Sequence, residues 1–303
     1  ISPLVPIEGQ KLEISCQEYE RYIKAKDQLI EAMLLEEKME CLLSNYRDYE
    51  SCLLNAALTD MMNEEKSYHE FQRERSEINR MVVNLLAAAK AYLDHGGHHL
   101  RIIFEQTRVP GFFLSLKNNH YDESFAYRMM EALRDFTQHR GFPIHMVSFK
   151  RSWVGESQEM RNLEFTITPR VRVAELSKDP KFKRAVASEL ESKGERIEVT
   201  PLVREYVERL SEIHGAVQTE TQGQIDGACE TVSEAFNRAK LEFGSDSLDP
   251  GIGLIQESAH ENADIFEAPS LTPEFEQRYR SLRNANKPLI NLSKRYVSGK
   301  AQE

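Results

Sequence analysis

Residues 75–97 read RSEINRMVVNLLAAAKAYLDHGG. Ile78, Met81, Val82, Leu85, Leu86, Ala89, Tyr92 and Leu93 recur at helical spacing and fall in one apolar stripe at about 100° per residue. A stripe of that width is buried against other helices, which sets the expectation of a mainly α fold. Gly96-Gly97 is expected to end the helix, since glycine readily takes the left-handed backbone of a helix C-terminus.

The same periodicity extends in both directions. Upstream, Leu29, Ile30, Met33 and Leu34, then Leu53, Leu54, Ala57 and Leu58, make the chain from Cys16 to about His95 almost wholly helical. Downstream, HHLRIIFEQ reads as a further short helix, followed by a turn at Pro110-Gly111. Asp122 reads as the N-cap of the next helix, which Gly141 and Pro143 break. PIHMVSFKR and NLEFTITPRVRVAEL alternate apolar with polar residues and are rich in β-branched types, predicting a hairpin or small sheet. Helical spacing returns at DPKFKRAVASELES. A long helix is expected from about Pro201 to Phe243, with Pro201 suited to its first turn, and another near Pro273–Asn284. The expected architecture is a helical bundle with a small β insertion and a loosely structured C-terminal extension. Its parts are an N-terminal helical region at 1–68, a bundle at 69–243 with the insertion at about 143–175, and the extension at 244–303.

Composition narrows the function classes. The 303 residues are 40% hydrophobic and 29% charged, which is globular. No basic start precedes an apolar run, and no stretch reaches the roughly 20 apolar residues of a membrane helix, so a soluble, cytoplasmic protein without membrane contact is expected. The four cysteines (Cys16, Cys41, Cys52, Cys229) form no CxxC pair, which fits a reducing compartment, and they are expected to be buried and inert. A net charge of −10 is a poor match to a protein that coats long nucleic acid. The charge is uneven, however. Residues 1–70 hold fifteen acids against seven bases, whereas 134–172 hold seven bases (Arg134, Arg140, Lys150, Arg151, Arg161, Arg170, Arg172) against four acids (Asp135, Glu156, Glu159, Glu164). Such a local positive surface can bind a short polyanion.

Within that basic stretch, residues 134–140 read RDFTQHR. On a helix, Phe125, Ala126, Met129, Met130, Ala132, Leu133 and Phe136 share one side. Tyr127, Arg128, Glu131, Arg134, Asp135, Gln138 and His139 share the other. Arg134 and Gln138 are four apart, as are Asp135 and His139, so a guanidinium, a carboxylate and an imidazole reach one surface. This set suits metal-independent cleavage of an RNA phosphodiester. A histidine can take the 2′-hydroxyl proton or protonate the leaving oxygen, an arginine can hold the phosphate oxygens, and Asp135 can orient the imidazole.

The order Arg, polar residue, three residues, His resembles the signature of HEPN domains, helical bundles many of which are metal-independent ribonucleases of defence, toxin–antitoxin and RNA-processing systems. The resemblance covers roughly residues 70–140 and matches Arg134, Asp135 and His139 to the signature. It implies a homodimer whose motif helices meet in a composite site, an RNA substrate, no cofactor or metal, and an antitoxin or regulatory protein as a possible partner. Gln138, Arg140, His98 and His99 are the further substrate-contact candidates. The relaxed pattern occurs three times, but Arg140–His145 spans Gly141 and Pro143, and Arg209–His214 has Leu210 after the arginine. The hairpin after the motif, and Gly141 where toxin-type members often carry Tyr, depart from the family.

Other features weigh less. HGGHH invites a metal-site reading, yet no acid or cysteine beyond Asp94 recurs at matching spacing, and histidine is favoured near a helix C-terminus anyway. GIG at 251–253 reads as a turn. Phe149, Trp153 and Phe165 can stack on bases, although aromatics in strands are more often core. From a different class comes the competing reading, a catalytically inert helical protein in which RDFTQH is a structural or dimer-contact face and the protein acts by binding a partner.

Overall fold

The computed structural model describes residues 2–3, 11–63, 67–155, 162–244, 252–254 and 273–295. In chain order the elements are β1 (Ser2–Pro3), α1 (Cys16–Met62), α2 (Tyr68–Ile103), α3 (Gly111–Glu123), α4 (Phe125–His139), β2 (Met146–Val154) and β3 (Asn162–Arg172). Then come α5 (Val173–Ser177), α6 (Arg184–Lys193), β4 (Arg196–Glu198), α7 (Thr200–Phe243), β5 (Ile252–Gly253) and α8 (Pro273–Ala285). The fold is mainly α with a small antiparallel sheet, as the periodicity implied.

Both long N-terminal helices begin with a reciprocal cap. Ser15 Oγ accepts from Glu18 N at 3.2 Å while the Glu18 carboxylate accepts from Ser15 N at 2.9 Å. Ser67 and Glu70 repeat the arrangement at the start of α2. Two of the orphan N–H groups that every helix start leaves are thereby satisfied.

The chain divides into two compact units, one of residues 1–37, 94–113 and 215–287 and the other of 38–93, 114–214 and 288–303. In the first, Ala25, Leu29, Ala32 and Met33 of α1 pack with Ile225, Ala228 and Cys229 of α7 and with Tyr279 and Leu282 of α8. Beside this apolar cluster lies a buried polar hub. The Gln218 amide donates to the Glu36 carboxylate at 2.9 and 3.2 Å, and Asn286 Nδ2 donates to it at 2.8 Å and to the Glu36 carbonyl at 2.9 Å. That hub ties the end of α8 to α1 and α7. Ile252 is buried in a second cluster with Tyr22, Ala235 and Ala239, and 252–253 pair with Ser2–Pro3 instead of forming a free turn.

The expected helix end at Gly96-Gly97 is not there. α2 runs on to Ile103 and absorbs most of the separate short helix expected at 98–106. A Cβ on Gly96 would lie 3.0 Å from the Phe113 ring, and one on Gly97 would lie 3.0 and 3.1 Å from the Val109 methyls. The pair therefore serves close packing of α2 against 109–113, at a helix-propensity cost of about 1 kcal/mol per glycine. The segment after Pro110, expected to be a turn, folds into α3.

In the second unit, Met39, Leu42, Tyr49 and Leu53 of α1, Ile78, Val82, Leu85 and Leu86 of α2, and Val203, Val207, Leu210 and Ile213 of α7 are buried. Tyr49 Oη meets Thr200 Oγ1 at 2.9 Å and Tyr92 Oη meets His214 Nδ1 at 3.1 Å, so the buried hydroxyls are satisfied. The expected hairpin forms from β2 and β3, in register from Met146↔Arg170 to Val154↔Asn162. A third strand, β4, pairs only with 170–172. Alternation stops at Arg172, and VAEL, expected as strand, is helical in α5.

The cysteines differ from their expected burial. Cys16 and Cys41 are exposed, Cys52 is half-buried and only Cys229 is buried. Burial pushes the Cys52 and Cys229 thiols up to about 11.

Candidate functional site

The helix carrying RDFTQH, α4, starts two residues later than Asp122 would set it. Ser124 is the N-cap, its Oγ accepting from Tyr127 N at 3.1 Å and donating to Glu205 at 2.7 Å, while Asp122 lies in the last turn of α3. Ala126, Met129, Met130, Ala132, Leu133 and Phe136 are buried as expected. Tyr127, placed on the polar side by the helical projection, is buried as well, edge-on to Tyr206 at 5.3 Å.

The polar side divides into a buried part and an open end. Arg134 is 11% exposed and lies between two carboxylates. Its Nη1 donates to Glu131 at 2.6 Å, and its Nη2 and Nε donate to one Asp135 oxygen at 2.9 and 3.3 Å. The second Glu131 oxygen accepts from Tyr206 Oη of α7 at 2.6 Å. Burial works against the Arg134 charge, but Glu131 and Asp135 outweigh it and raise its pKa further. Burial, with Glu131 beside it, likewise drives the Tyr206 phenol well above its usual range, so that hydroxyl is a fixed donor. Arg134, Asp135, Glu131 and Tyr206 thus form one connected cluster with a formal charge of −1.

His139 is not part of it. Its i−4 neighbour Asp135 is committed to Arg134, and His139 is exposed at the last residue of α4, beside exposed Gln138 and Arg140. Among the described residues its ring has no hydrogen bond or ion pair. Arg140 turns away to Asp179 at 3.1 Å. The geometry therefore joins Arg134 to Asp135 but does not place Asp135 to orient His139. Glu131 and Tyr206 are the members the sequence did not single out. Glu131 stood on the same helical arc three residues before Arg134, whereas nothing in the sequence linked Tyr206 to α4.

The remaining candidates are dispersed. His98 and His99 belong to the first unit, Arg134 to the second. His98 is exposed and near Arg101, and His99 is buried against the Glu31 carboxylate. Among the described residues no group of three His, Cys, Asp or Glu side chains could hold a metal ion. No helix among them is long and apolar enough to cross a membrane. In the other two Arg-x4-His copies, His214 is buried on Tyr92 and His145 caps the sheet ladder. Phe149 and Phe165 are half-buried, Phe149 against Phe71 and Phe165 beneath the Arg151 guanidinium, while Trp153 is exposed. Of the basic stretch, Arg161 with Glu156 and Glu159 lies outside the described residues. A depression of about 800 Å³ lies beside Arg172 and Arg196, which oppose each other across β3 and β4. It includes no residue of α4.

His145 carries a pH prediction. Its Nδ1 accepts the Arg172 N–H at 3.1 Å, and its ring stands edge-on to Phe136. Burial, opposed by Glu175 and reinforced by Arg172 and Arg75, holds its pKa below the usual 6.5. The folded chain keeps this ring neutral while the unfolded chain takes up a proton. Its contribution is therefore present above pH 6.5 and is lost as pH falls from 6.5 through the lower folded value. His145→Gln is expected to lower stability at neutral pH and to flatten the acid-side fall of the urea midpoint, and an unchanged pH profile would contradict this role. His120, whose pKa burial also lowers, contributes with the same sign in both proteins.

No family model, curated protein or solved structure matches the chain.

Proposed function

We propose that this chain is a catalytically inert helical interaction protein, in which the polar face of α4 braces the second unit. The observation that supports this reading is the engagement of the enclosed Arg134 by Glu131, also enclosed, and by the more open Asp135. A guanidinium that holds a phosphodiester needs free donors and a net positive field. Here three of its five N–H groups are committed, and two carboxylates surround one cation. An incoming phosphate would meet more repulsion than attraction.

A second reading, HEPN-like cleavage of RNA by a homodimer, draws support from the open end of α4. His139, Gln138 and Arg140 are exposed there, and two Arg134 N–H groups remain uncommitted. In that chemistry His139 takes the 2′-hydroxyl proton, the 2′-oxygen attacks phosphorus, and the 5′-oxygen leaves to give a cyclic phosphate end. An RNA end, a defence setting and an antitoxin-type partner belong to this reading alone.

Incubation of the purified protein with total RNA in EDTA, beside His139→Ala, separates the two. His139 is exposed, so the variant keeps the fold. Intact RNA with both proteins is expected. Cleavage by the wild type that His139→Ala abolishes, leaving cyclic phosphate ends, would overturn the interaction reading.

A further inference from the structure

Large apolar side chains are exposed mainly at one place. Of the fourteen such residues among the described ones, nine lie in the second unit on the end of α1, the start of α2 and the β2–β3 ribbon: Leu54, Leu58, Met61 and Met62; Tyr68 and Phe71; Trp153, Val154 and Leu163. Named contacts join these segments. Arg151 of β2 donates to the Asp60 carboxylate at 3.1 Å and to the Asn63 carbonyl at 3.2 Å, fixing the ribbon on the end of α1. Phe149 meets Phe71 with ring centroids 5.1 Å apart. Trp153↔Leu163 continues the ribbon face that already carries Phe149↔Ile167 and Arg151↔Phe165.

Val154 points to the other face of the ribbon. The remaining eight residues expose on the order of 1000 Å² of surface, more than the few hundred Å² typical of a monomer's largest apolar patch and near the ~800 Å² each partner buries in a standard interface.

Charge points to the occupant. In a chain with 29% charged residues, the stretch 51–63, SCLLNAALTDMMN, contains one, Asp60. Asp60 is 3% exposed and neutralised by Arg151, so every exposed side chain of this stretch is uncharged. A partner recruited by charge would find no complementary group on this stretch of α1. Two copies of a chain of net charge −10 repel one another, and they meet at least cost where the contact carries no charge.

The stripe is also self-complementary. Leu54, Leu58 and Met61 are spaced four and three apart, the seam of a coiled-coil pair, and Met62 flanks it. Packed antiparallel about a two-fold axis at Leu58, the Leu54 of one copy lies at the level of the Met62 of the other.

We propose that this face is the dimer interface of the protein, with a second copy of the chain docking α1 on α1 and Trp153 and Leu163 flanking the contact. The proposal rests on the interaction reading and gives it a partner. It uses no residue of α4.

Sedimentation over the micromolar range tests it, together with acrylamide quenching of Trp153, the sole tryptophan of the chain. The wild type is expected to be a dimer with a shielded Trp153. Leu58→Glu and Leu54→Glu are each expected to raise the dissociation constant about a hundredfold or more and to expose Trp153, with the helical circular dichroism unchanged. A wild type that stays monomeric throughout the range overturns the proposal. So does a dimer that survives both substitutions, which would place the contact elsewhere, α4 included. RNA cleavage that depends on His139 overturns the interaction reading on which the proposal rests, whereas sedimentation reports on the interface alone, so the two failures are distinct.

Discussion

Arg134→Ala is expected to destabilise the protein by about 3–5 kcal/mol, the usual consequence of removing one partner from a buried ion pair. The loss exceeds that of a surface salt bridge because both members of the Arg134–Glu131 pair are enclosed, at 11% and 13% exposed. Without the guanidinium, Glu131 keeps only Tyr206 as a donor, and its negative charge sits between α4 and α7 uncompensated. Asp135, 46% exposed, can turn to water and adds little. His139→Ala, by contrast, is expected to stay within about 0.5 kcal/mol of the wild type, because the imidazole is exposed at the helix end. Urea unfolding followed by circular dichroism reads both. A catalytic arginine held open for substrate would give the opposite pattern, a variant with intact stability.

The second large effect is expected at Glu36. Glu36→Ala removes the carboxylate that accepts from both the Gln218 and Asn286 amides, leaving Asn286 the residue-36 carbonyl and Gln218 the Arg283 carbonyl, at a site where Glu36 is 3%, Asn286 1% and Gln218 8% exposed. Losing a buried hydrogen-bond partner costs about 1–3 kcal/mol, and because both amides keep a carbonyl acceptor a total of about 2–3 kcal/mol is expected. Because Asn286 directly follows α8, the loss should appear first as faster amide exchange at 273–285, ahead of the rest of the first unit. Glu36→Gln keeps one acceptor oxygen and should retain much of the protection. Equal exchange in Glu36→Ala and wild type would show that α8 is held without the Glu36 carboxylate, by contacts such as the packing of Tyr279 and Leu282 and the Arg283 hydrogen bond to the Gln218 carbonyl.

Much of the fold was legible because helices announce themselves by period. The stripe from Ile78 to Leu93, the long helix beginning at Thr200-Pro201, the alternation around Phe149 and Phe165, and the helix at 273–285 all carry their structure locally. Where the reading failed, tertiary contacts outweighed a local rule. Gly96-Gly97 looks like a stop, but the same absence of side chains that favours a C-cap also allows Phe113 and Val109 to approach a continuous helix. The Ser67-x-x-Glu70 start of α2 was a readable capping box, and so was Ser15-x-x-Glu18; both went unread.

At the candidate site, helical geometry correctly put Arg134, Asp135 and Glu131 on one arc, but an arc has no depth. It could not say that Arg134 is enclosed while His139 is open, because the wall closing over Arg134 is Tyr206, seventy-five positions away from Glu131. The exposed apolar face was hidden for the same reason. Leu54 and Leu58 share the period of the core residues Leu53 and Ala56, and only packing decides which stripe faces inward.

A double-mutant cycle between Arg134 and Glu131, with methionine at each position singly and together, tests the structural role of α4 most directly. Coupling of about 2 kcal/mol or more in unfolding free energy is expected, with the double variant recovering much of what each single one loses. Coupling near zero, with Arg134→Met as stable as the wild type, would mean that Arg134 is not part of the brace and is free to hold a substrate.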